Sequence, residues 1–469
     1  MTTNGRLSVA GDEEANEVSP LLGNDSGFTS RGETEDHHHN ESTSQHGPAW
    51  RFFFDNKGTP GTNSPNPFAK YPAQAWNVVK ITLLSSWINL LLVAVPLGIF
   101  AGKQEWGATW VFSLNFFAII PLAAVLSFAT EEIAKCLGET LGGLVNATFG
   151  NAVELIVSIV ALNAGEIEVV QASMLGSILS NLLLVLGMCF FLGGIKNMRD
   201  ANGRSTEQSF ASGTAQTTCS LMALSSASMI IPAALYNNLS TAQDDDKANS
   251  ILVLSRGTAG ILLLLYCMYL FFALHTHRRF FEPEAQTDVD GGAISGGGEE
   301  EAEPIINPWS AAAVLIATTV VISVCADYMV DSIDEIVASG KVSKSFIGLI
   351  LIPIVGNAAE HVTACVVAVK NKMDLAMGVA IGSSIQIALL VTPALVMLGW
   401  AIGQPMTMHF ETFETIAFAL SVMVVTYTVQ DGKSNYLEGA MLIGLYLIIA
   451  LAFWASPSSA LDKAMALIH

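Results

Sequence analysis

From residue 78 onward the chain is a succession of apolar runs near 20 residues, each long enough to cross ~30 Å of hydrocarbon as a helix. Eleven can be marked, roughly 78–100, 108–130, 140–162, 169–195, 214–236, 251–274, 309–330, 345–368, 375–401, 412–429 and 437–455. Backbone groups find no water in lipid, so runs of this length must satisfy their own hydrogen bonds as helices, and they are too long for barrel strands. The spacing predicts an all-α polytopic membrane protein with eleven transmembrane helices. Composition agrees: of 469 residues 51% are hydrophobic and only 13% are charged, where soluble domains carry about 25% charge.

The net charge of −20 must then sit outside the bilayer. Residues 1–77 hold about −5 of it, the stretch 282–303 holds −8, and Asp244-Asp245-Asp246 adds −3. Such an acidic balance excludes a nucleic-acid partner, which needs a basic face. Residues 1–77 contain no apolar stretch fit for a cleaved signal and read as a disordered, soluble tail. Within it, Glu17-Val-Ser-Pro-Leu21-Leu22 resembles the acidic dileucine signal that sorting adaptors read. His37, His38 and His39 read as a solvated tract rather than a metal site. The six cysteines, scattered among apolar runs without CxxC spacing, read as buried small hydrophobes rather than as disulfides or zinc ligands.

The acidic stretch from Glu282 to Glu303 lies between the sixth and seventh runs, and serves either as a solvated connection or as a cation-sensing segment. It organises the chain into a tail (1–77), an extra first helix (78–100), a five-helix half (108–274), the connection (275–308), a second five-helix half (309–455) and a short tail (456–469). Nine Lys and Arg on one set of loops against about five on the other place the N-terminus in the cytosol and the C-terminus in a lumen.

Sliding the sequence on itself by 206 positions lays Gly150-Asn151-Ala152-Val153-Glu154 on Gly356-Asn357-Ala358-Ala359-Glu360. At the same offset Gly142 meets Gly348, and Gly176-Ser177 meets Gly382-Ser383. Because each half has five helices, the second starts on the opposite side of the membrane. That is an inverted-topology repeat, the arrangement of secondary transporters that alternate access to a central site. No Ser-Lys, Asp-Asp or His-Glu-x-x-His arrangement occurs in the helices, so an enzyme is not expected.

Glu154 and Glu360 fall well inside their runs, with no Lys or Arg in either run to neutralise them. A buried charge costs about 2.5–3.5 kcal/mol on insertion scales, so a symmetric pair calls for a cation or for protons. Two carboxylates suit a divalent ion, and Ca²⁺ takes six to eight oxygens in irregular geometry. Asn151 and Asn357, one turn before each Glu, offer amide oxygens, and Gly150 and Gly356 can loosen the helix to free carbonyls. The paired fourth and ninth helices add Asn181 and Gln386 as further ligands. Ser177, Ser383 and Ser384 serve there either as ligands or as packing residues. The donors are hard oxygens, which favours Ca²⁺ or Mn²⁺ over copper or zinc. His361 is either an interhelical histidine or a proton relay. Glu131 and Asp327, at corresponding places near the ends of the second and seventh helices, are candidate access groups for cations or protons, whereas their neighbours Glu132 and Asp331 read as solvated.

At these residues the chain resembles the calcium/proton exchangers of fungal and plant vacuoles, within the calcium/cation antiporter superfamily. The paired Gly-Asn-Ala-x-Glu segments, His361, the Gly-Ser-Ser-Ile-Gln run at 382–386 and the acidic stretch carry the resemblance over about residues 75–455. The Ser/Thr-Pro-Glu/Asp segments of sodium/calcium exchangers are absent. The resemblance implies eleven helices, Glu154 and Glu360 as carboxylates shared by Ca²⁺ and H⁺, a cytosolic acidic segment and an acidic vacuole as the location. No cofactor is expected: Ca²⁺ (or Mn²⁺) and H⁺ are cargo, and the bilayer and a sorting adaptor are the other partners. A sodium- or potassium-coupled calcium exchanger and, from another class, a cation channel are the alternatives.

Overall fold

The computed structural model describes residues 64–199, 203–238, 244–277, 304–339 and 342–455, with Thr59 and Thr62. Glu17, Leu21 and Leu22, the acidic stretch 282–303 and the tail 456–469 lie outside the described residues. Among the described residues the regular elements are helices apart from one antiparallel strand pair, β1 (Gln208–Ser209) with β2 (Lys433–Ser434). The first half holds α1 (Pro67–Leu84), α2 (Trp87–Lys103), α3 (Ala108–Phe149), α4 (Ala152–Asn163), α5 (Ile167–Lys196), α6 (Ser212–Asn238) and α7 (Asp244–Phe271). The second holds α8 (Pro308–Asp331), α9 (Ile333–Ala338), α10 (Lys344–Gly356), α11 (Ala358–Val369), α12 (Met373–Ile402), α13 (Thr412–Thr428) and α14 (Tyr436–Ala455). Among the described residues seven helices are long and apolar enough to cross a membrane, nine if each sharply bent pair is one span, and α4 and α13 are shorter apolar helices.

Helix starts follow the local sequence. Asn66 and Asn307 each accept a hydrogen bond from the N–H two residues on, with Pro67 and Pro308 in the first turn. Glu411 and Glu414 form a capping box at α13. Three of the apolar runs are not single helices. The first turns by 108° between α1 and α2, where the Ser85 hydroxyl donates to the Thr82 carbonyl (2.9 Å) and Ser86 caps α2. The third begins inside α3, which turns at Gly138 with a φ of 74° that only glycine adopts cheaply, and breaks again before α4. The eighth bends by 58° between α10 and α11.

The helix pairs that pack closely include α3 on α8, α2 on α3, α5 on α14 and on α10, α6 on α13 and α7 on α12. Large apolar side chains line the outside, with Leu264, Val320, Leu447 and Leu451 more than half exposed, the surface expected of a chain solvated by lipid. At the crossing of α5 and α10 a Cβ on Gly176 would strike the Leu349 carbonyl, so the two backbones touch. Beside that crossing the Lys344 ammonium bridges Glu166 (2.8 Å) and Asp334 (2.6 Å), and Ser345 donates to Glu168 (3.2 Å). At the other end Asn197 and Gln208 donate to the carbonyls of Val369 (3.3 Å) and Ala368 (3.0 Å), tying the first half to the end of α11.

The loop 403–411, at the Lys344 end, is strapped down by the Gln171 amide, which donates to the carbonyls of Thr407 (2.9 Å) and His409 (3.0 Å). The His409 ring lies 4.2 Å from that of Tyr236, whose other partner is the Lys247 ammonium (3.5 Å). Burial and, second, the Lys247 charge hold the His409 pKa below the usual histidine value. A depressed pKa favours the neutral ring, so this contribution is present above the unfolded pKa and is lost as pH falls through the folded one. Acidification below about pH 6.5 should therefore speed hydrogen exchange in residues 404–411, corrected for intrinsic rate, and His409→Gln should remove that dependence.

Candidate cation site

The two Gly-Asn-Ala-x-Glu segments fall where one helix stops and the next begins. Asn151 (φ −100°, ψ 28°) and Asn357 (φ −85°, ψ 2°) are the N-cap residues of α4 and α11, and neither side chain caps its helix. Glu154 and Glu360 therefore stand in the first turn of a helix rather than deep within a continuous one. The expected placement of each Asn on the helix face one turn before its Glu is corrected in the same way. A break releases the amide from the helix surface, and the unpaired N–H groups of a first turn give a partial positive charge that suits an anion.

Around these breaks the predicted residues come together. The Asn151 amide donates to Gln386 Oε1 (2.5 Å), and the Asn181 amide donates to the Ser383 hydroxyl (2.9 Å). Ser383 adjoins Glu360, and the Glu360 and Glu154 carboxylates are near enough to interact electrostatically. A Cβ on Gly356 would stand 2.6 Å from Glu154 Oε1, so the break in the second half presses against the carboxylate of the first. One on Gly150 would stand 3.9 Å from Gln386 Oε1 and 2.7 Å from the Asn146 carbonyl. His361 is held at both nitrogens, Nδ1 by the Asn357 carbonyl (2.5 Å) and Nε2 by the Ser180 hydroxyl (3.4 Å). Ser177 is buried one turn before Asn181, and Ser384 gives its hydroxyl to the Ala380 carbonyl (2.9 Å).

Polar satisfaction marks what the site lacks. Glu154 is 6% exposed and Glu360 is half-buried, and among the described residues neither forms an ion pair with Lys or Arg. Among the described residues Asn151 Oδ1, Asn181 Oδ1, Asn357 Oδ1 and Glu360 Oε2 are buried acceptors with no donor, and the Asn357 Nδ2 group and the Ser158 hydroxyl, one turn beyond Glu154, have no partner either. Buried polar atoms are rarely left so. Acceptor oxygens without donors, gathered around two carboxylates, form a shell that a hard cation would complete. Among the described residues no three or more His, Cys, Asp or Glu gather as a metal cluster, so a cation held here would need amide oxygens beside the two carboxylates.

The two outlying acids stay apart from this group. Asp327 lines a cavity of about 410 Å³ with Asn163, Ser323 and Leu398, and Glu131 is exposed. Its neighbour Glu132, expected to be solvated, is fully buried: it pairs with Lys135 (2.7 Å) and accepts the N–H groups of Ile305 (2.6 Å) and Ile306 (3.1 Å). Adjacent helical residues point about 100° apart, and only the tertiary neighbour decides which one is covered. Ser158 also went unmarked in the sequence, although its spacing of four from Glu154 puts it on the same face. Because a methyl group on Gly356 would push the Glu154 carboxylate aside, Gly356→Ala should weaken any rise in unfolding temperature that Ca²⁺ gives the purified protein. Gly444→Ala, with nothing within 4 Å, should keep it.

The chain has relatives among known proteins. The chain is 49% identical over 385 residues to a vacuolar calcium ion transporter of Schizosaccharomyces pombe, covering 81% of this chain and 88% of that one. It is 40% identical over 369 residues to a Ca(2+)/H(+) antiporter of Aphanothece halophytica, covering 78% and 96%. Its fold matches the solved structure of native YfkE with a TM-score of 0.63 at 33% identity, covering 79% of this chain and 100% of that one. The sodium/calcium exchanger protein family matches residues 107–275 and 310–455, and with both halves covered the chain belongs to that family of transporters and is not an enzyme.

Proposed function

We propose that the protein is a secondary antiporter that moves cytosolic Ca²⁺ into an acidic vacuole in exchange for H⁺, with Glu154 and Glu360 as the carboxylates both ions share. The observation that carries this reading is the pair of helix breaks that set two carboxylates and donorless amide oxygens around one point. Names of relatives point the same way, a vacuolar calcium ion transporter and a Ca(2+)/H(+) antiporter among them. At cytosolic pH the carboxylates release their protons to the cytosol and bind Ca²⁺, and on the acidic side protons take the oxygens back as Ca²⁺ leaves into the lumen. An exchange of about two protons per Ca²⁺ over about two pH units releases ~5.4 kcal/mol, sufficient for roughly a 10⁴-fold Ca²⁺ gradient. Mn²⁺, also a hard divalent ion, competes for the same shell.

The transport cycle follows from an asymmetry between two halves that match in sequence. Eleven spans, one extra and five in each inverted half, are reached by reading the third run across the break before α4 as one span and counting α13 as another. The crossing of α5 on α10 is closed, glycine against backbone, and latched by Lys344. Its counterpart by the offset of 206 is the pair Gly382 and Gly143. A Cβ on Gly382 meets nothing within 4 Å, and one on Gly143 meets only the Leu274 side chain at 3.3 Å. Basic loops put the open crossing on the cytosolic side and the closed one on the luminal side. Alternating access exchanges the two: in the lumen-open state Gly382 packs on Gly143 as Gly176 packs on Leu349. A cross-link between Gly143→Cys and Gly382→Cys should form only during turnover, and it should stop transport until it is reduced.

Ca²⁺ uptake into acid-loaded vesicles tests the reading. Wild type should accumulate Ca²⁺ until a protonophore is added, without requiring Na⁺, and Glu154→Gln or Glu360→Gln should reduce uptake at least about 100-fold, as loss of one charge from a buried divalent site implies. Undiminished ΔpH-driven uptake by either variant contradicts shared carboxylates; uptake that requires Na⁺ contradicts proton coupling.

A further inference from the structure

The helix α1 takes no part in the cation site, and its two faces differ in kind. Val78 and Ile81 pack with Phe128 and Ile133, midway along α3, and with Ile306 on the approach to α8. On the polar edge the Lys80 ammonium is buried and donates to the Thr59 hydroxyl (3.0 Å), which itself donates to Asn77 Oδ1 (2.8 Å). Lys70 and Gln74 continue that edge into the open. The opposite stripe, at helical spacing, is Phe68, Tyr71, Ala75, Val79 and Leu83, all exposed, with Phe68 at 92% and Tyr71 at 68%.

Such a stripe in water would be an apolar patch without a partner. Two observations name its occupant. Beyond Ser85-Ser86 the stripe is followed by the outward side chains of α2, Trp87, Leu90 and Val93, all more than 60% exposed, and α1 and α2 together are apolar enough for one bent span. The 108° turn at Ser85-Ser86 lays α1 almost perpendicular to α2. An 18-residue helix of about 27 Å that stands across a spanning helix, apolar on one side and polar on the other, fits the headgroup boundary.

We propose that α1 is a membrane-surface helix that lies in the leaflet from which α2 enters, with Phe68, Tyr71, Ala75, Val79 and Leu83 among the lipid chains. Its inner face holds Ile306, whose N–H is pinned with that of Ile305 by the buried Glu132 carboxylate. The bilayer surface thereby sets the height at which the chain returns from the acidic stretch to α8. This placement does not depend on which ions are carried.

Collision measurements on nitroxides test it in the full-length protein reconstituted in phosphatidylcholine vesicles. With native cysteines replaced by alanine, labels at Phe68→Cys, Ala75→Cys and Val79→Cys should relax more with oxygen than with an aqueous nickel chelate, and a label at Gln74→Cys should show the reverse. Nickel dominance at every position puts the stripe in water and overturns the proposal. Labels on the stripe shielded from both agents put protein over it, a second copy or another part of this chain, and overturn it equally. A benzophenone amino acid at position 68 or 79, with the native cysteines intact, gives an independent reading: irradiation should join it to lipid, and at position 74 it should not. Cross-links to protein in place of lipid contradict the proposal.

Discussion

Taking an ionised carboxylate out of water costs several kcal/mol unless an opposite charge travels with it. Glu154 and Glu360 meet that cost with no lysine or arginine among the described residues beside them, and much of the molecule is arranged around that choice. A permanent ion pair would satisfy the carboxylates once and for all. Leaving them unpaired keeps the counter-charge exchangeable, and in the proposed exchange a cation and protons take that place in turn. Among the described residues the amide oxygens of Asn151, Asn181 and Asn357 have no donors either, which in the proposed site leaves them open to a Ca²⁺ shell.

The helix breaks make this possible. An unbroken helix through residue 154 would spend its backbone groups on itself and hold the Asn151 amide against its own surface. By stopping at Asn151 and Asn357 the chain turns two N-terminal helix ends toward one place and lets the amides point away from their helices. The break in the second half also sits against the first half's carboxylate, Gly356 on Glu154. A movement of one half against the other cannot leave the site untouched. The proposed cycle also accounts for the unequal crossings: Gly176 lies against the Leu349 backbone, whereas Gly382, its match by the offset, meets nothing within 4 Å.

Membrane folding explains which parts were legible in the sequence. Lipid forces long apolar runs into helices, so the all-helical class and most spans could be read from hydropathy alone. The paired motifs stood out because they recur at one offset, and the residues they picked, Asn151, Glu154, Glu360, Ser383 and Gln386, do gather. The breaks were hidden because hydropathy continues across them: Gly-Asn in an apolar run looks the same whether the helix passes through or stops. Ser85-Ser86 hid the turn into α1 in the same way, since both sides are apolar. Glu132 and Lys344 act through partners far away in sequence, on Ile305 and Glu166, and no local pattern distinguishes them from solvated neighbours.

Whether Ca²⁺ and H⁺ occupy the same carboxylates is open to direct measurement, without vesicles or gradients, by titrating purified protein with Ca²⁺ in weak buffer and recording protons released per ion bound. Shared carboxylates require binding to expel up to about two protons per Ca²⁺, fewer as pH rises and the site is already deprotonated. Replacing Glu154 and Glu360 together by Gln should remove both the binding and the release. Ca²⁺ binding of undiminished affinity with no proton release across the acidic to neutral range would contradict the account.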